Sequence, residues 1–246
     1  DQRLSERDYR GIAMSVPGAV HQETGVIEGI SAIPYIHGFS WYEALSHHKL
    51  PVHLENDANC VGLSELLAHP EIENAACVVI GTGIGGAMII NGKLHRGRHG
   101  LGGEFGYMTT IEPAEKLNNW SQLASTGNMV RYVIEKSGQS DWDGRKVYQE
   151  AATGNALCQE AIERMNRNLA QGLLNIQYLI DPDVISLGGS ISQNPDFIKG
   201  VQKAVDAFVD RYEEYTIAPV IQACTYQADA NLYGALVNWL QEENQW

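Results

Sequence analysis

The fold is decided by residues 78–106, VVIGTGIGGAMIINGKLHRGRHGLGGEFG. An apolar β-type run at residues 77–80 ends in Gly81-Thr82-Gly83-Ile84-Gly85-Gly86. Glycines at such a bend allow positive φ and close approach of backbone to a ligand. Successive N–H groups of a turn form an anion nest, for which phosphate is the natural guest. Gly81, Gly83 and Gly86 also spell G-x-G-x-x-G. That dinucleotide fingerprint needs a helix opening at its last glycine, with an acid about 20 residues on. Here residues 87–90 are a second apolar run, followed by Asn91-Gly92. Asn-Gly between strand-like runs is a strong hairpin signal. The order is therefore strand, glycine turn, strand, Asn-Gly turn, strand. Taken alone, the first bend fits a phosphate loop and an ordinary hairpin equally.

Downstream, residues 97–106 are a glycine-rich loop and 107–118 are irregular. A helix opens at Asn119 or Ser121 and runs to Lys136, and a short one covers about 144–153. Residues 156–180 are the clearest helix: Ile162, Met165, Leu169, Leu173, Ile176 and Ile180 form one apolar stripe. Asp181-Pro182 stops it. Residues 184–187 read as a buried strand ending in Gly188-Gly189. A helix at 196–212, a strand at 219–224 and a last helix capped by Asp229 follow. Upstream, residues 1–8 look like a helix already ending, and 11–17 are a short strand running into a Pro17-Gly18 turn. Residues 19–39 are loop-like, and a loop of that length in a compact domain is usually functional. Ser40 caps a short helix through His48. Residues 51–55 are a strand. Asp57 caps a helix with Val61, Leu63, Leu66 and Leu67 inward, ending near His69-Pro70.

From residue 77 onward the order is β-β-β-α-β-α-β-α, if the helices of 121–180 count as one elaborated unit. Before it the order is end-of-helix, β, α, β, α. Laid on the later pattern, the early part is the back half of the same unit, an internal duplication. The expectation is an α/β protein with a largely parallel sheet in each of two facing lobes. That is the two-lobed, actin-like ATPase (ribonuclease H-like) fold, its first lobe incomplete at the N-terminus. Residues 1–76 are the partial first lobe and 77–246 the second, with the last helix packing back on the first.

Of the 246 residues, 44% are hydrophobic, enough for a real core. The formal charge of −13 argues against a general nucleic-acid or anionic-membrane surface. No apolar run approaches the roughly 18 residues that span a bilayer, and the first residues carry no signal-peptide pattern. Cys60, Cys77, Cys158 and Cys224 stand singly, as in a reduced cytoplasmic chain without disulfide or zinc cluster.

Five motifs, in order and across nearly the whole chain, resemble the ROK family (repressors, open reading frames and sugar kinases). They are Ser15-Val16-Pro17-Gly18, Glu55-Asn56-Asp57-Ala58-Asn59-Cys60, the glycine bend 81–86, Gly102-Gly103-Glu104-Phe105-Gly106, and Asp181-Pro182 leading to Leu187-Gly188-Gly189. The resemblance implies transfer of the γ-phosphate of ATP, with Mg²⁺, to a sugar hydroxyl, usually the 6-position of a hexose. It implies Asp57 as general base and Asn56 and Glu104 as sugar ligands, with Pro17, Gly18 and Tyr107 in the sugar-binding set. Gly81, Thr82 and Gly83 would cradle phosphate, and Gly188 and Gly189 would line the adenosine pocket. A homodimer is also implied, with no nucleic-acid or membrane partner.

The chemistry agrees. Phosphoryl transfer needs positioning and charge neutralisation more than covalent help, and a carboxylate about 3 Å from a hydroxyl suffices as base. Asn and Glu each offer paired hydrogen-bonding atoms that suit vicinal hydroxyls. Each residue also has a plainer reading. Asp57 serves equally as a helix cap worth about 1 kcal/mol, Glu104 as a solvated loop acid, and Gly188-Gly189 as a strand-to-loop turn.

The chain departs from the family in three places. Tyr107 stands where many members have a zinc-binding, sugar-touching His, and residues 108–125 hold no cysteine, so no structural zinc is expected. Ser121-Gln122 stands where a second sugar-binding Glu is common, which suggests a wider pocket for a glycoside, disaccharide or ketose. The family's opening Asp-x-Gly-Gly-Thr, which binds phosphate and Mg²⁺, is not in these residues; a missing natural N-terminal segment and an incompetent kinase as written are the corresponding expectations. His95, Arg96 and His99 read as a solvated loop. The alternative function is a non-catalytic, sugar-sensing transcriptional regulator of the same family. An actin-like ATPase with a protein partner leaves Glu104 unexplained.

Overall fold

The computed structural model describes residues 8–29, 33–110 and 118–246. Strand β1 (Ile12–Val16) is followed by a hairpin of β2 (Ala19–His21) and β3 (Val26–Glu28). Gly25, at φ +66°, closes its turn by donating N–H to the His21 carbonyl at 2.8 Å. This hairpin corrects the loop expected at 19–39: three-residue strands are too short for a period-two pattern to register. Helix α1 (Trp41–Leu45) is capped as expected by Ser40, whose hydroxyl accepts the Glu43 N–H. Strand β4 (Val52–Asn56) then pairs in parallel with β1, Val16 opposite Asn56. Helix α2 (Asp57–Ala68) follows with no loop between.

Strands β5 (Ala75–Ile80), β6 (Ile84–Ile90) and β7 (Lys93–Leu94) form the antiparallel meander read from the glycine and Asn-Gly bends. Asn91 and Gly92 sit at φ 52° and 68°, the paired positive φ of a tight hairpin turn. After the short pair β8 (Thr109–Thr110) and β9 (Asn118–Asn119) come α3 (Trp120–Ala124), α4 (Thr126–Ser137), α5 (Gly144–Ala152) and α6 (Ala156–Ile180). The single helix expected to residue 136 is broken at Ser125, which is extended at ψ 157° and caps α4 by accepting the Asn128 N–H. The chain ends with β10 (Val184–Gly188), α7 (Pro195–Arg211), β11 (Ile221–Ala223) and α8 (Ala230–Glu242). Asp229 does not cap α8: it is the last residue of a 3-10 turn, at φ −94° and ψ −2°, and its side chain makes no cap bond.

The main sheet has the order β11-β10-β5-β6-β7, with β10 parallel to both neighbours. Its core lies under the helices, where Trp120, Met165, Leu169, Leu173, Ile176 and Phe197 are fully buried. The last elements repeat the first. The β10–β11 pair is parallel, as is β1–β4, and one helix follows each, α8 and α2. The two helices pack on each other, α2 also lying on β5 and β6, and α8 on β1 and β4. Each helix thus covers the other half's strands. Gly234 of α8 permits the contact, since a Cβ there would stand 1.8 Å from the Cys60 carbonyl oxygen. Covered on two sides, α2 is buried without a break from Ala58 to Leu66.

All four cysteines are buried and free. Among the described residues no helix is long and apolar enough to cross a membrane.

Candidate active site

The zero-length junction between β4 and α2 fixes the first acid. Asn56, not Asp57, is the N-cap: its Oδ1 accepts the Ala58 and Asn59 N–H groups at 2.9 and 3.0 Å. Its Nδ2 donates to the Gly18 carbonyl at 3.1 Å. Gly18, at φ +100°, has no space for a side chain beside Ile27. Asp57 occupies the first helical position, where its Oδ1 accepts the Ala58 N–H at 2.8 Å. The cap is spent on Asn56, which leaves the Asp57 carboxylate free to face a cavity.

That cavity, about 490 Å³, is also lined by Gly81, Gly83, Glu104, Tyr107, Asn119, Ser121 and Asn231. Such a volume lies in the range of small-ligand sites. Asp57 therefore shares a cavity with the glycine bend and with the second acid. Burial pushes the Asp57 carboxyl above its ordinary value, opposed by hydrogen bonds from Ala58 and Asn56. Glu104 is raised as well, by burial first and then by the Asp57 charge. Glu104 thus senses the Asp57 charge.

The opposite wall is held by close backbone packing. Gly81 N–H donates to the Gly83 carbonyl at 2.9 Å, and Gly127 of α4 donates to the Gly81 carbonyl at 3.2 Å. A Cβ on Gly127 would stand 2.5 Å from the Thr82 carbonyl oxygen, so the first turn of α4 sits directly on the bend. A Cβ on Gly81 would meet nothing within 4 Å. Ser121 pins the bend to α3 by accepting the Ile84 N–H at 2.8 Å and donating to the Ile84 carbonyl at 3.2 Å. Gln122 is committed to a capping box with Asn119.

Of the residues singled out in the sequence, Asp57, Glu104, Tyr107, Gly81 and Gly83 line the cavity. Tyr107 is 71% exposed. Asn56, Thr82, Pro17, Gly18, Gly188 and Gly189 do not line it. Asn56 and Gly18 buttress it from behind. Gly188 and Gly189 lie at the carboxyl end of β10 beside the bend: a Cβ on Gly189, at φ +90°, would stand 2.1 Å from the Ile80 carbonyl oxygen. Ser121, read in the sequence at the place of a sugar-binding Glu, lines the cavity too. Asn119 and Asn231 are cavity residues that sequence reasoning did not find, because lone polar residues carry no spacing signal. Among the described residues no group of three His, Cys, Asp or Glu is placed to hold a metal ion. Residues 111–117, part of the stretch read as lacking zinc ligands, lie outside the described residues.

Residues 2–242 match the model of the ROK family. A beta-glucoside kinase of Listeria monocytogenes is 34% identical over 248 residues, which cover 97% of this chain and 82% of that protein. Among solved structures, a ROK family protein from Streptococcus pneumoniae in complex with sucrose is 89% identical with a TM-score of 0.97, covering 100% of this chain and 85% of that one. A ROK hexokinase from Thermus thermophilus is 25% identical with a TM-score of 0.82, over 99% and 83% of the two chains. The chain belongs to the ROK family and has the actin-like ATPase fold of that family's sugar kinases.

Proposed function

We propose that this chain phosphorylates a sugar hydroxyl from ATP, usually the 6-position, with Asp57 as general base. The observation that carries this is one cavity lined by two acids whose proton affinity burial raises, Asp57 and Glu104, and by the glycine bend. The kinase names of the relatives and the sucrose complex of the 89% identical structure support it.

The acceptor hydroxyl donates its proton to the Asp57 carboxylate, whose burial-raised proton affinity suits a base. The helix N-terminus and the Ala58 N–H hold that carboxylate in orientation. Glu104 and Asn119 offer paired polar atoms to the remaining hydroxyls. Tyr107 contributes an exposed ring at the wall. Bound ATP would supply the phosphoryl group, and Mg²⁺ would neutralise its charge. The bend fits phosphate: Gly81 leaves open the space that a side chain would fill. Gly81, Thr82 and Gly83 would hold the phosphates, with Gly188 and Gly189 on the adenosine side. Magnesium needs few protein carboxylates beside phosphate oxygens, and Asp57 and Glu104 are the acids that line the cavity.

A cavity of this size and the Tyr107 substitution favour a glycoside or disaccharide over a bare hexose. Lobes divided near residue 76 that close on sugar, a homodimer and a cytoplasmic location near the ATP supply belong to the same proposal. The regulator reading leaves Glu104 a sugar to bind but gives Asp57 no proton to accept.

The test is sugar-dependent ADP release by the full-length protein against a panel of hexoses, β-glucosides and sucrose, with Asp57→Ala as control. Turnover in the variant is expected to fall by about 10²–10⁴-fold. Unchanged turnover rejects Asp57 as the base.

A further inference from the structure

Glu55 stands one residue before the Asn56-Asp57 pair, is 1% exposed, and does not line the cavity. Its two oxygens face opposite tasks. Oε1 accepts the Asn56 N–H at 2.8 Å and Asn59 Nδ2 at 2.9 Å, inside the first turn of α2. Oε2 accepts Arg96 Nε at 2.6 Å and Gln22 Nε2 at 3.4 Å. Arg96 comes from the loop after β7. Its Nη2 donates to Asn238 Oδ1 of α8 at 2.8 Å and lies 3.6 Å from Glu242. The carbonyl of the same Arg96 accepts the Gly102 N–H at 2.8 Å. Gly102 fits there because it lacks a side chain: a Cβ would stand 2.4 Å from the His95 carbonyl oxygen. Two residues later the loop delivers Glu104 to the cavity.

One residue therefore holds both acids. Its side chain grips the base of the helix that carries Asp57, and its backbone closes the turn that presents Glu104. We infer that Arg96 is a positioning residue, which sets the spacing of Asp57 and Glu104 by bridging β4 to the 96–104 loop through Glu55. The kinetic part of this inference rests on the sugar-kinase reading above; the bridge itself does not. Arginine suits the position because its planar fork donates in two fixed directions, to Glu55 and to Asn238, which a lysine ammonium cannot match. A charge-assisted bond to a buried carboxylate is also shorter and stronger than a neutral one. A sugar spanning the two acids would feel any change in their spacing, and a misplacement of about 1 Å costs on the order of 10²-fold in rate.

The experiment compares the full chain with Arg96→Gln, Arg96→Lys and the double variant Arg96→Gln/Glu55→Gln. It reads sugar-dependent ADP release, Tm, and amide hydrogen exchange at Asn56 and Gly102. Arg96→Gln is expected to lower kcat about 10- to 100-fold, to move the sugar KM far less, and to speed exchange at both amides together. The double variant removes the unpaired buried carboxylate, so Tm recovers while kcat stays low. Arg96→Lys restores part of kcat. Wild-type kcat in the double variant, or faster exchange at one amide alone, overturns the inference. If no form releases ADP with any sugar but both amides still loosen together in Arg96→Gln, the kinase reading fails and the bridge stands.

Discussion

Helices α2 and α8 occupy the same place in the two halves of a duplicated pattern, and they differ at their first turns. In α2 the strand passes into the helix without a loop, Asn56 takes the cap, and Asp57 is left facing the cavity. In α8 six residues separate Ala223 from Ala230, a 3-10 turn leads in, and the side chain of Asp229 caps nothing. The α2 helix is buried on nearly every side, whereas α8 exposes Leu232 at 72% and Leu236 at 46%. The difference shows what aims a side chain at a ligand. A cap and a rigid junction free the neighbouring acid from structural duty, whereas the first helical position of α8 is the buried Ala230 and its preceding acid, Asp229, caps nothing.

The largest effect that can break this contrast is at Asp57. Asp57→Asn is expected to lower sugar-dependent kcat at least about 10²-fold. It should do so without lowering Tm at pH 7. Burial raises the Asp57 carboxyl above its ordinary value of 3.8 in the folded chain. Ionising it therefore costs the folded state stability, absent below that ordinary value and fully present once pH has passed the raised one. The variant's Tm advantage should shrink as pH falls toward the ordinary value, measurable by calorimetry across that window. The same shift predicts an acid limb in kcat/KM that lies above 3.8. A Tm at neutral pH well below wild type in Asp57→Ala, but not in Asp57→Asn, would show that Asp57 serves as a structural cap after all.

Next in size is the helix crossing. Gly234→Ala places a methyl against the backbone of Cys60, and overpacking of this kind costs about 1–3 kcal/mol. Urea unfolding should show it as a lower midpoint at unchanged slope. The two caps give the smallest and most diagnostic pair. Asn56→Ala is expected to cost about 1 kcal/mol from the lost cap alone, and Asp229→Ala to stay within about 0.5 kcal/mol of wild type. Equal costs at the two positions would erase the contrast.

The second half is the more legible in the sequence. Its meander is punctuated by glycines and Asn-Gly, and α6 follows a stripe whose Met165, Leu169, Leu173 and Ile176 are all buried. The β2–β3 hairpin is invisible because each strand has three residues. Two-sided burial hides the true environment of α2: Ser64 and Glu65 are buried where propensity assigns solvent, and Glu65 accepts the Ser186 hydroxyl at 3.1 Å and the Thr225 N–H at 2.7 Å. At the site, the bend is legible from its glycines, whereas Asp57 and Glu104 stand out from a plain cap and a loop acid only through the family resemblance of their motifs. Arg96 looks like a solvated loop residue, since its partner Glu55 is 41 positions away. Only the folded chain reveals that such a pair exists. The cap is misassigned for a related reason: Asn and Asp are about equal as N-caps, and the choice between neighbours depends on where the strand stops.

The exchange of helices between the halves also sets an order of assembly. Strands β1 and β4 have α8 as a cover, and α8 follows them only after all the other described elements. These two strands must therefore stay partly unshielded until α8 has been made, and long-range closure of this kind is slow and exposes apolar surface meanwhile. A chain stopped short of residue 230 would keep most of its larger core yet lose the cover over its beginning.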